Sequence, residues 1–337
     1  MTDPHVLIVG SGSVGKRHAR NLAALGCRVS CMDPRADRRA ELGAETPVAG
    51  AFDALEAALD GAEALSGVVI ASPPSFHVAQ TIAAVDRGLP VLLEKPVCPE
   101  GKDAHRLLEH VAGRDTPVLM GYTWRWWPPL AKVRELLRQE AVGRLRHARF
   151  VMSAHLADWH PWEPIGDFFM SRRELGGGAL LDESHWIDLM LWLFGDPEGV
   201  FARIEKLSDL EITSDDNVDM VVTYRDGLRV SLHLDLYGRP HEKEITLVGE
   251  KGTLRWSADP NRLAVGREMG PVWETTDFDC ERNDMFVAVA REFLDVLAGR
   301  PVATCTLAEG VRVLDVVEAA RESHATGRAV PFAGGRG

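Results

Sequence analysis

Lys95 and His185 are the two residues of this chain whose types and neighbours best suit oxidation of an alcohol carbon. Lys95 lies in Glu94-Lys95-Pro96, directly after the apolar run Val91-Leu92-Leu93. His185 closes the segment Gly176-Gly-Gly-Ala-Leu-Leu-Asp182-Glu-Ser-His185. Removing hydride from an alcohol carbon needs a base for the hydroxyl proton and a fixed positive charge for the developing alkoxide. An imidazole, with an ordinary pKa of about 6.5, suits the first role. A lysine ammonium suits the second, and becomes a proton donor if burial lowers its pKa. Asp182 stands three residues before His185. On a helix these two share a face, where Asp182 either orients the imidazole or binds a substrate hydroxyl.

A hydride needs an acceptor, and the start of the chain supplies a place for one. Gly10-Ser11-Gly12-Ser13-Val14-Gly15 fits G-x-G-x-x-G, follows an apolar run and opens a helical pattern. Gly10 allows the tight turn, Gly12 lets backbone approach a pyrophosphate, and Gly15 lets helix and strand pack closely. Ser13 and Val14 then lie at a helix N-terminus, where free N–H groups favour phosphate. Asp33 follows the run Val29-Ser30-Cys31-Met32, eighteen residues after Gly15. A carboxylate there accepts from the adenosine ribose hydroxyls and repels a 2′-phosphate, which argues for NAD over NADP. Arg35, Arg38 and Arg39 follow and offer phosphate contacts that oppose this preference.

Trp124, Trp126, Trp127, Trp159, Trp162, Trp186 and Trp192 crowd one stretch of the chain. Aromatic faces pack against the C–H faces of sugar rings, so the crowd suits a carbohydrate pocket. Trp186 and Trp192 fall in an apolar helical run and read as core. Trp124, Trp159 and Trp162 fall among polar and proline residues and are assigned to substrate, with Arg125 as a clamp for a hydroxyl or carboxylate. His155, Asp158, His160 and Glu163 include metal-ligating types, but intervening Trp and Pro favour an irregular lid, and no metal is expected.

The elements that must hold these groups divide in two. The first 120 residues alternate apolar runs (6–9, 28–32, 68–71, 91–93, 118–120) with amphipathic stretches (17–25, 52–59, 77–87, 102–111). That alternation means βαβ units and a parallel sheet. A boundary is expected at 122, with a dinucleotide-binding domain over 1–122 and a second domain over 123–337. The second domain opens with a helix at Pro128-Pro129 and a long strand over 144–154. A helix led by Gly176–Gly178 runs on to Gly195-Asp196-Pro197. Strands joined by short turns over 199–276 mean an antiparallel sheet. Helices are expected over 283–297 and 307–325, the last packing back on the first domain.

Bulk composition agrees with an enzyme of two domains. The chain has 337 residues, 45% hydrophobic and 26% charged, with net charge −12. The acidity disfavours nucleic acid as a partner. The five cysteines are scattered without metal spacing, which fits a reducing, cytoplasmic setting. The N-terminus shows no signal-peptide pattern, and no apolar run is long enough to span a membrane.

With these residues in view, the chain resembles the glucose–fructose oxidoreductase and inositol dehydrogenase (Gfo/Idh/MocA) family. The resemblance rests on Gly10-Ser-Gly-Ser-Val-Gly-Lys-Arg-His18, Ala71-Ser-Pro-Pro-Ser-Phe-His77, Glu94-Lys95-Pro96 and Gly176 through His185-Trp-Ile-Asp188. It implies a Rossmann domain joined to a domain with a large open antiparallel sheet, assembled as a dimer or tetramer through that sheet. It also implies that Glu94 meets the nicotinamide ribose, that Ser72, Pro73 and His77 lie along the cofactor, and that Lys95–Pro96 is cis. Many members place the histidine four residues after the helix aspartate, whereas here Asp182 and His185 are three apart. That step resembles a branch tied to sugars, amino sugars and nucleotide sugars. Asp188 and His18 read as bracing or packing residues. The implied activity is NAD-dependent oxidation of a secondary alcohol of such a substrate. The alternatives are a lyase or glycoside-cleaving enzyme that recycles NAD, with Asp158, His160 or Glu163 as its further base, and a non-catalytic dinucleotide-binding regulator.

Overall fold

The computed structural model describes residues 3–159, 164–167, 169–267, 269–270 and 272–332. The chain divides into two compact units, Met1–Thr123 with Glu281–Arg312, and Trp124–Cys280 with Val313–Gly337. No helix among the described residues is long and apolar enough to cross a membrane.

The first unit runs β1 (His5–Val9), α1 (Ser13–Ala24), β2 (Arg28–Met32), α2 (Ala36–Glu45), β3 (Gly50–Phe52), α3 (Leu55–Gly61), β4 (Gly67–Ile70), α4 (His77–Val85), β5 (Val91–Leu93), α5 (Gly101–Val111) and β6 (Val118–Met120). Its strands form one parallel sheet in the order β3-β2-β1-β4-β5-β6. Val6 to Val9, Val68 to Ile70 and Val91 to Leu93 are fully buried, as expected of strands covered on both faces. Two elements escaped the sequence pattern. Helix α2 buries Leu42 alone, so it carries no apolar period, and β3 is only three residues long. Its end at Phe52 moves the expected helix of 52–59 to α3.

The second unit runs α6 (Pro128–Arg138), β7 (Leu145–Ser153), α7 (Leu156–Trp159), α8 (Ala179–Asp182), α9 (Ser184–Phe194), β8 (Gly199–Glu205), β9 (Asn217–Thr223), β10 (Arg229–Asp235), β11 (Glu242–Gly249), β12 (Gly252–Ala258), β13 (Asn261–Gly266) and β14 (Glu274–Asp277). Helix α10 (Arg282–Leu297) then belongs to the first unit, and α11 (Leu307–Thr326) and β15 (Val330–Pro331) complete the chain. A capping box between Glu281 and Asp284 starts α10. The helix packs on α1 through paired Asn21 and Asn283 amides and through Phe286.

The second unit's sheet has nine strands, ordered β14-β13-β12-β11-β7-β10-β9-β8-β15. All pairs are antiparallel except β7 with β10. Strand β7 precedes the helices, and its long crossover to the strand run permits the parallel pairing. Period-two alternation sorts the two faces. Val218, Met220 and Val222 of β9 are buried with Leu232, Phe150, Leu247 and Trp256, on the face where α6 and α8 lie against the strands. The opposite face carries Asp219, Val221, Arg149 and Glu244. The alternate apolar positions Val218, Met220 and Val222 are therefore covered by the unit's own helices rather than left for an interface between subunits.

On that opposite face His233 bridges Asp219 and Asp235, with Nδ1 2.7 Å from one carboxylate and Nε2 3.1 Å from the other. Asp235 is 2% exposed and also accepts the N–H groups of Tyr237 and Gly238. Its hydrogen bond to His233, with that of Asp219 and against the cost of burial, pushes the imidazole up to about 9. A raised folded pKa gives stability that is complete below the unfolded value of about 6.5 and is lost as pH rises through the folded one. His233→Gln is expected to lower the free energy of unfolding at pH 6 by about 1 kcal/mol, solvent screening of this half-exposed group considered. Urea unfolding at pH 6 and pH 10 checks this, and a gap that widens at pH 10 contradicts it.

Candidate active site

Close approach of backbone to backbone shapes the first unit's ligand end. Gly10 has φ +93°, and a Cβ there would stand 2.7 Å from Ala71 and the Ser72 nitrogen. A Cβ on Gly15 would lie 1.9 Å from the Gly10 carbonyl oxygen. Gly12 is different, because among the described residues its missing Cβ would have just Arg38 Nη1 within 4 Å, at 3.9 Å. Space therefore opens over the loop where it turns into α1. Among the described residues no side chain caps α1, and its first turn, which begins with exposed Ser13 and half-exposed Val14, holds no acidic residue. An uncapped helix N-terminus behind an open glycine fits a pyrophosphate.

Asp33 follows β2, at the carboxyl end of that strand. Its Oδ2 accepts the Ser11 N–H at 2.8 Å and its Oδ1 accepts the Arg35 N–H at 2.9 Å. Each oxygen keeps a second lone pair for a hydroxyl. The arginines that follow are largely engaged locally. Arg35 pairs with Asp37 at 2.5 Å, and the guanidinium holds that carboxyl down at about 2. Arg39 donates to the Asp33 carbonyl at 2.5 Å. Arg38 Nη1 lies beside the glycine loop, 3.9 Å from where a Cβ on Gly12 would stand.

At the carboxyl ends of β4 and β5, Ser72 and Pro73 lead into a turn, and Ser72 Oγ donates to Gln80 at 2.6 Å. His77 is fully buried. Its Nδ1 is 2.8 Å from the Pro96 carbonyl oxygen and its Nε2 is 2.8 Å from that of Ser72. Both ring nitrogens thus face backbone, and His77 ties the Ser72 turn to the Lys95–Pro96 turn from beneath rather than presenting a nitrogen to a ligand. Desolvation lowers its pKa, while the two carbonyls and Glu94 oppose that shift. The Lys95–Pro96 peptide bond is cis. Glu94 is buried and Lys95 half-buried. His18, read from sequence as a packing residue, is fully buried on α1 with Nε2 2.7 Å from Glu94 Oε1. A histidine three residues beyond the glycine motif, on the helix face turned to the sheet, was the signal for it.

In the second unit the expected single helix is two. Helix α8 ends at Asp182, Glu183 breaks the geometry with φ −91° and ψ 17°, and α9 begins at Ser184. Asp182 is buried and His185 half-buried, across that break rather than along one helix. The glycines before α8 are needed sterically. A Cβ on Gly177 would meet the carbonyl oxygens of Phe169 and Met170 at 2.4 Å, and one on Gly178, at φ +120°, would meet Asp215 Oδ1 at 2.4 Å. Asp215, which no sequence pattern marked, accepts the Leu180 N–H at 2.8 Å and so caps α8. Burial pushes its carboxyl up, and the backbone N–H groups oppose that.

Arg125, expected from sequence as a substrate clamp, is held in a buried ion pair. It is 5% exposed, and its Nε and Nη2 donate to the buried carboxylate of Asp188 at 2.7–3.1 Å. This pair braces the segment after β6 against α9. Trp124 is half-buried and packs edge-on against Trp127 and Trp256, with centroids 5.7 and 5.6 Å away, so most of its ring serves the core. Trp159 ends α7. Trp162, with His160 and Glu163, lies outside the described residues. Asp158 is paired with Arg239 at 2.8 Å, which holds its carboxyl below the usual range. Among the described residues no three His, Cys, Asp or Glu side chains could together hold a metal ion.

A glycine loop under an uncapped helix, a carboxylate after β2 and a lysine after β5, on a sheet of order 3-2-1-4-5-6, define a dinucleotide-binding unit. Residues 5–122 match the oxidoreductase family with an NAD-binding Rossmann fold, and residues 130–255 match the GFO/IDH/MocA C-terminal domain. The chain belongs to the Gfo/Idh/MocA family of oxidoreductases. It is 31% identical over 198 residues to inositol 2-dehydrogenase of Leifsonia xyli subsp. xyli, covering 58% of this chain and 55% of that protein. The match thus spans about half the length of that curated relative. Two solved structures share the fold. Levoglucosan dehydrogenase, in complex with NADH and levoglucosan, has TM-score 0.88 and 18% identity, over 99% of this chain and 100% of its own. The WlbA dehydrogenase from Bordetella pertussis, in complex with NADH and UDP-GlcNAcA, has TM-score 0.82 and 22% identity, over 99% and 100%.

The Asp33 geometry predicts tighter binding of NADH than of NADPH. Asp33→Ala should weaken NADH and move the affinity ratio toward NADPH by about tenfold or more, as expected when a ribose-binding carboxylate is lost. Fluorescence titration of both reduced cofactors checks this. An NADPH preference in the unmodified protein would mean that Arg38 outweighs Asp33.

Proposed function

We propose that this chain is an NAD-dependent dehydrogenase acting on a secondary alcohol of a sugar, amino sugar, nucleotide sugar or cyclitol, with ketone reduction as the reverse. One observation carries the reading: Lys95 stands at the carboxyl end of β5, beside buried Glu94, in a unit of the NAD-binding oxidoreductase family. Ligands of open parallel sheets bind at the carboxyl ends of the strands. The names of the relatives support the substrate class, since they act on inositol or were solved with a sugar or a nucleotide sugar.

The bound nicotinamide supplies the hydride acceptor. The chain's residues supply the rest. His185 takes the hydroxyl proton, and the Lys95 ammonium stabilises the alkoxide as the carbonyl forms. Asp182 either holds a substrate hydroxyl or orients His185. Trp124, through the part of its ring left exposed, offers a face for a sugar ring, the role also expected from sequence for Trp159 and Trp162. The Asp158–Arg239 pair weighs against Asp158 as the extra base that a lyase would require.

The open face of the second unit's sheet is proposed to bury itself against a second copy of the chain, in a homodimer or homotetramer. Phe201 and Val221 are cross-strand neighbours there, 36% and 48% exposed, and Val248 on β11 is 36% exposed. Exposed apolar side chains on a broad sheet face are a common mark of an interface.

Lys95→Ala and His185→Ala should each lower kcat about 100-fold or more while leaving NAD affinity nearly unchanged. His185→Ala should also remove the acidic limb of the pH–rate profile. Asp182→Asn should do less to kcat, and should mainly raise KM if the carboxylate holds substrate. Kinetics on a panel of sugars and cyclitols, with NADH affinity alongside, decide this, and near-normal turnover by His185→Ala would place the base elsewhere. Light scattering should give a dimer or tetramer, shifted to a smaller species by Val221→Lys. A monomer at working concentration would refute the assembly.

A further inference from the structure

Glu94 is a carboxylate almost wholly withdrawn from water, 7% exposed, and directly precedes Lys95. Burying a carboxylate is costly unless donors meet it. His18 Nε2 stands 2.7 Å from Oε1, and the Lys95 backbone N–H reaches Oε2 at 3.4 Å. A third constraint is steric. A Cβ on Gly121 would lie 3.0 Å from the Glu94 carboxyl carbon and 3.1 Å from either oxygen. Gly121 does not have a positive φ, so the close approach of Glu94 is what calls for glycine at this position.

His18 is fully buried, and its ring meets Phe286 of α10 edge-on at 5.6 Å. Its Nδ1 has no hydrogen-bond partner among the described residues. A hydrogen there would be stranded, so the ring carries it on Nε2 and donates it to Glu94. The location of this bond matters. His18 rides on α1, the helix that starts at the glycine loop, whereas Glu94 ends β5 in the other half of the sheet. The two halves of a 3-2-1-4-5-6 sheet each take one nucleotide of a dinucleotide. One buried hydrogen bond therefore ties the phosphate helix to the strand end that presents Glu94 and Lys95.

We propose that His18 is a positioning residue which, with the bare Cα of Gly121, fixes the Glu94 carboxylate to accept a hydroxyl of the nucleotide held by the β4–β6 half. The inference rests on the dehydrogenase reading in taking a dinucleotide as the ligand. A His18 that only supported α1 would affect both halves of the site alike. A His18 that acts through Glu94 affects one half.

The full-length protein is titrated with NADH, and separately with ADP, which has the adenosine and pyrophosphate but no second nucleoside. His18→Leu should weaken NADH about tenfold, the scale of one charge-assisted hydrogen bond, and weaken ADP about twofold at most. His18→Gln, which keeps an N–H donor of similar reach, should recover most of the loss. Gly121→Ala should repeat the NADH-selective loss with His18 intact. His18→Leu combined with Glu94→Gln should bind NADH no more weakly than Glu94→Gln alone. Equal losses for NADH and ADP, or additive effects in the double variant, would overturn the assignment. So would unchanged NADH affinity in Gly121→Ala, which also decides the matter if His18→Leu does not fold. Wild-type protein that binds neither NADH nor ADP would instead refute the dinucleotide reading itself, and this inference with it.

Discussion

The ligand end of the first unit depends on two places where a side chain is impossible. Gly15 packs its Cα onto the Gly10 carbonyl, and Gly10 packs onto the backbone at Ala71. These contacts bring the carboxyl ends of β1 and β4 together and set where α1 starts and which way it runs. From that direction follow the uncapped N–H groups over Gly12 and the reach of His18 toward β5. Asp33 fastens the arrangement on its other side, since it holds the Ser11 N–H from the end of β2. The same carboxylate thus orders the glycine loop at the end of β1.

The second unit uses similar physics with different parts. Gly177 and Gly178 admit the carbonyls of Phe169 and Met170 and the carboxylate of Asp215, and Asp215 in turn caps α8. Asp182 and His185 are thereby placed at the junction of two short helices. Behind them the Arg125–Asp188 pair is buried on both sides, at 2% and 0% side-chain exposure. Such a pair adds little net stability, because desolvation offsets its attraction, but losing either partner would strand a buried charge. Its worth lies in fixing α9 relative to the segment after β6. The tryptophans beside it, Trp124, Trp186 and Trp256, form one edge-on and tilted aromatic cluster. A crowd of aromatic residues in sequence thus supplied core as well as surface.

The nine-stranded sheet separates an apolar face from a charged one. On the helix-covered face nearly all positions are apolar. On the other, Arg149 meets Glu242 and Glu244, and His233 bridges Asp219 and Asp235. Cross-strand ion pairs of this sort set register more than they add stability. The same face carries Phe201, Val221 and Val248, which the described residues leave 36%, 48% and 36% exposed, whereas Val218 and Met220 are buried.

By itself the sequence determined what depends on local pattern. Strand and helix alternation, the glycine motif with its following carboxylate, and strands joined by short turns after residue 199 were enough for a parallel sheet, a dinucleotide site and a largely antiparallel sheet. Each is encoded within a few residues, because a turn, a helix start or a strand face is a local steric matter. What the tertiary structure decided depends on residues far apart in the chain. The parallel entry of β7 beside β10 and the return of α10 to α1 are pairings between distant segments. Arg125 meets Asp188, and His18, besides packing against Phe286, stands 2.7 Å from Glu94, because a polar group sealed from water must find its partner wherever the fold brings one. Leu42 alone could not announce α2, and nothing near Asp215 announced a helix cap. A residue's type restricts which bonds it can make, and only the three-dimensional neighbourhood chooses among them.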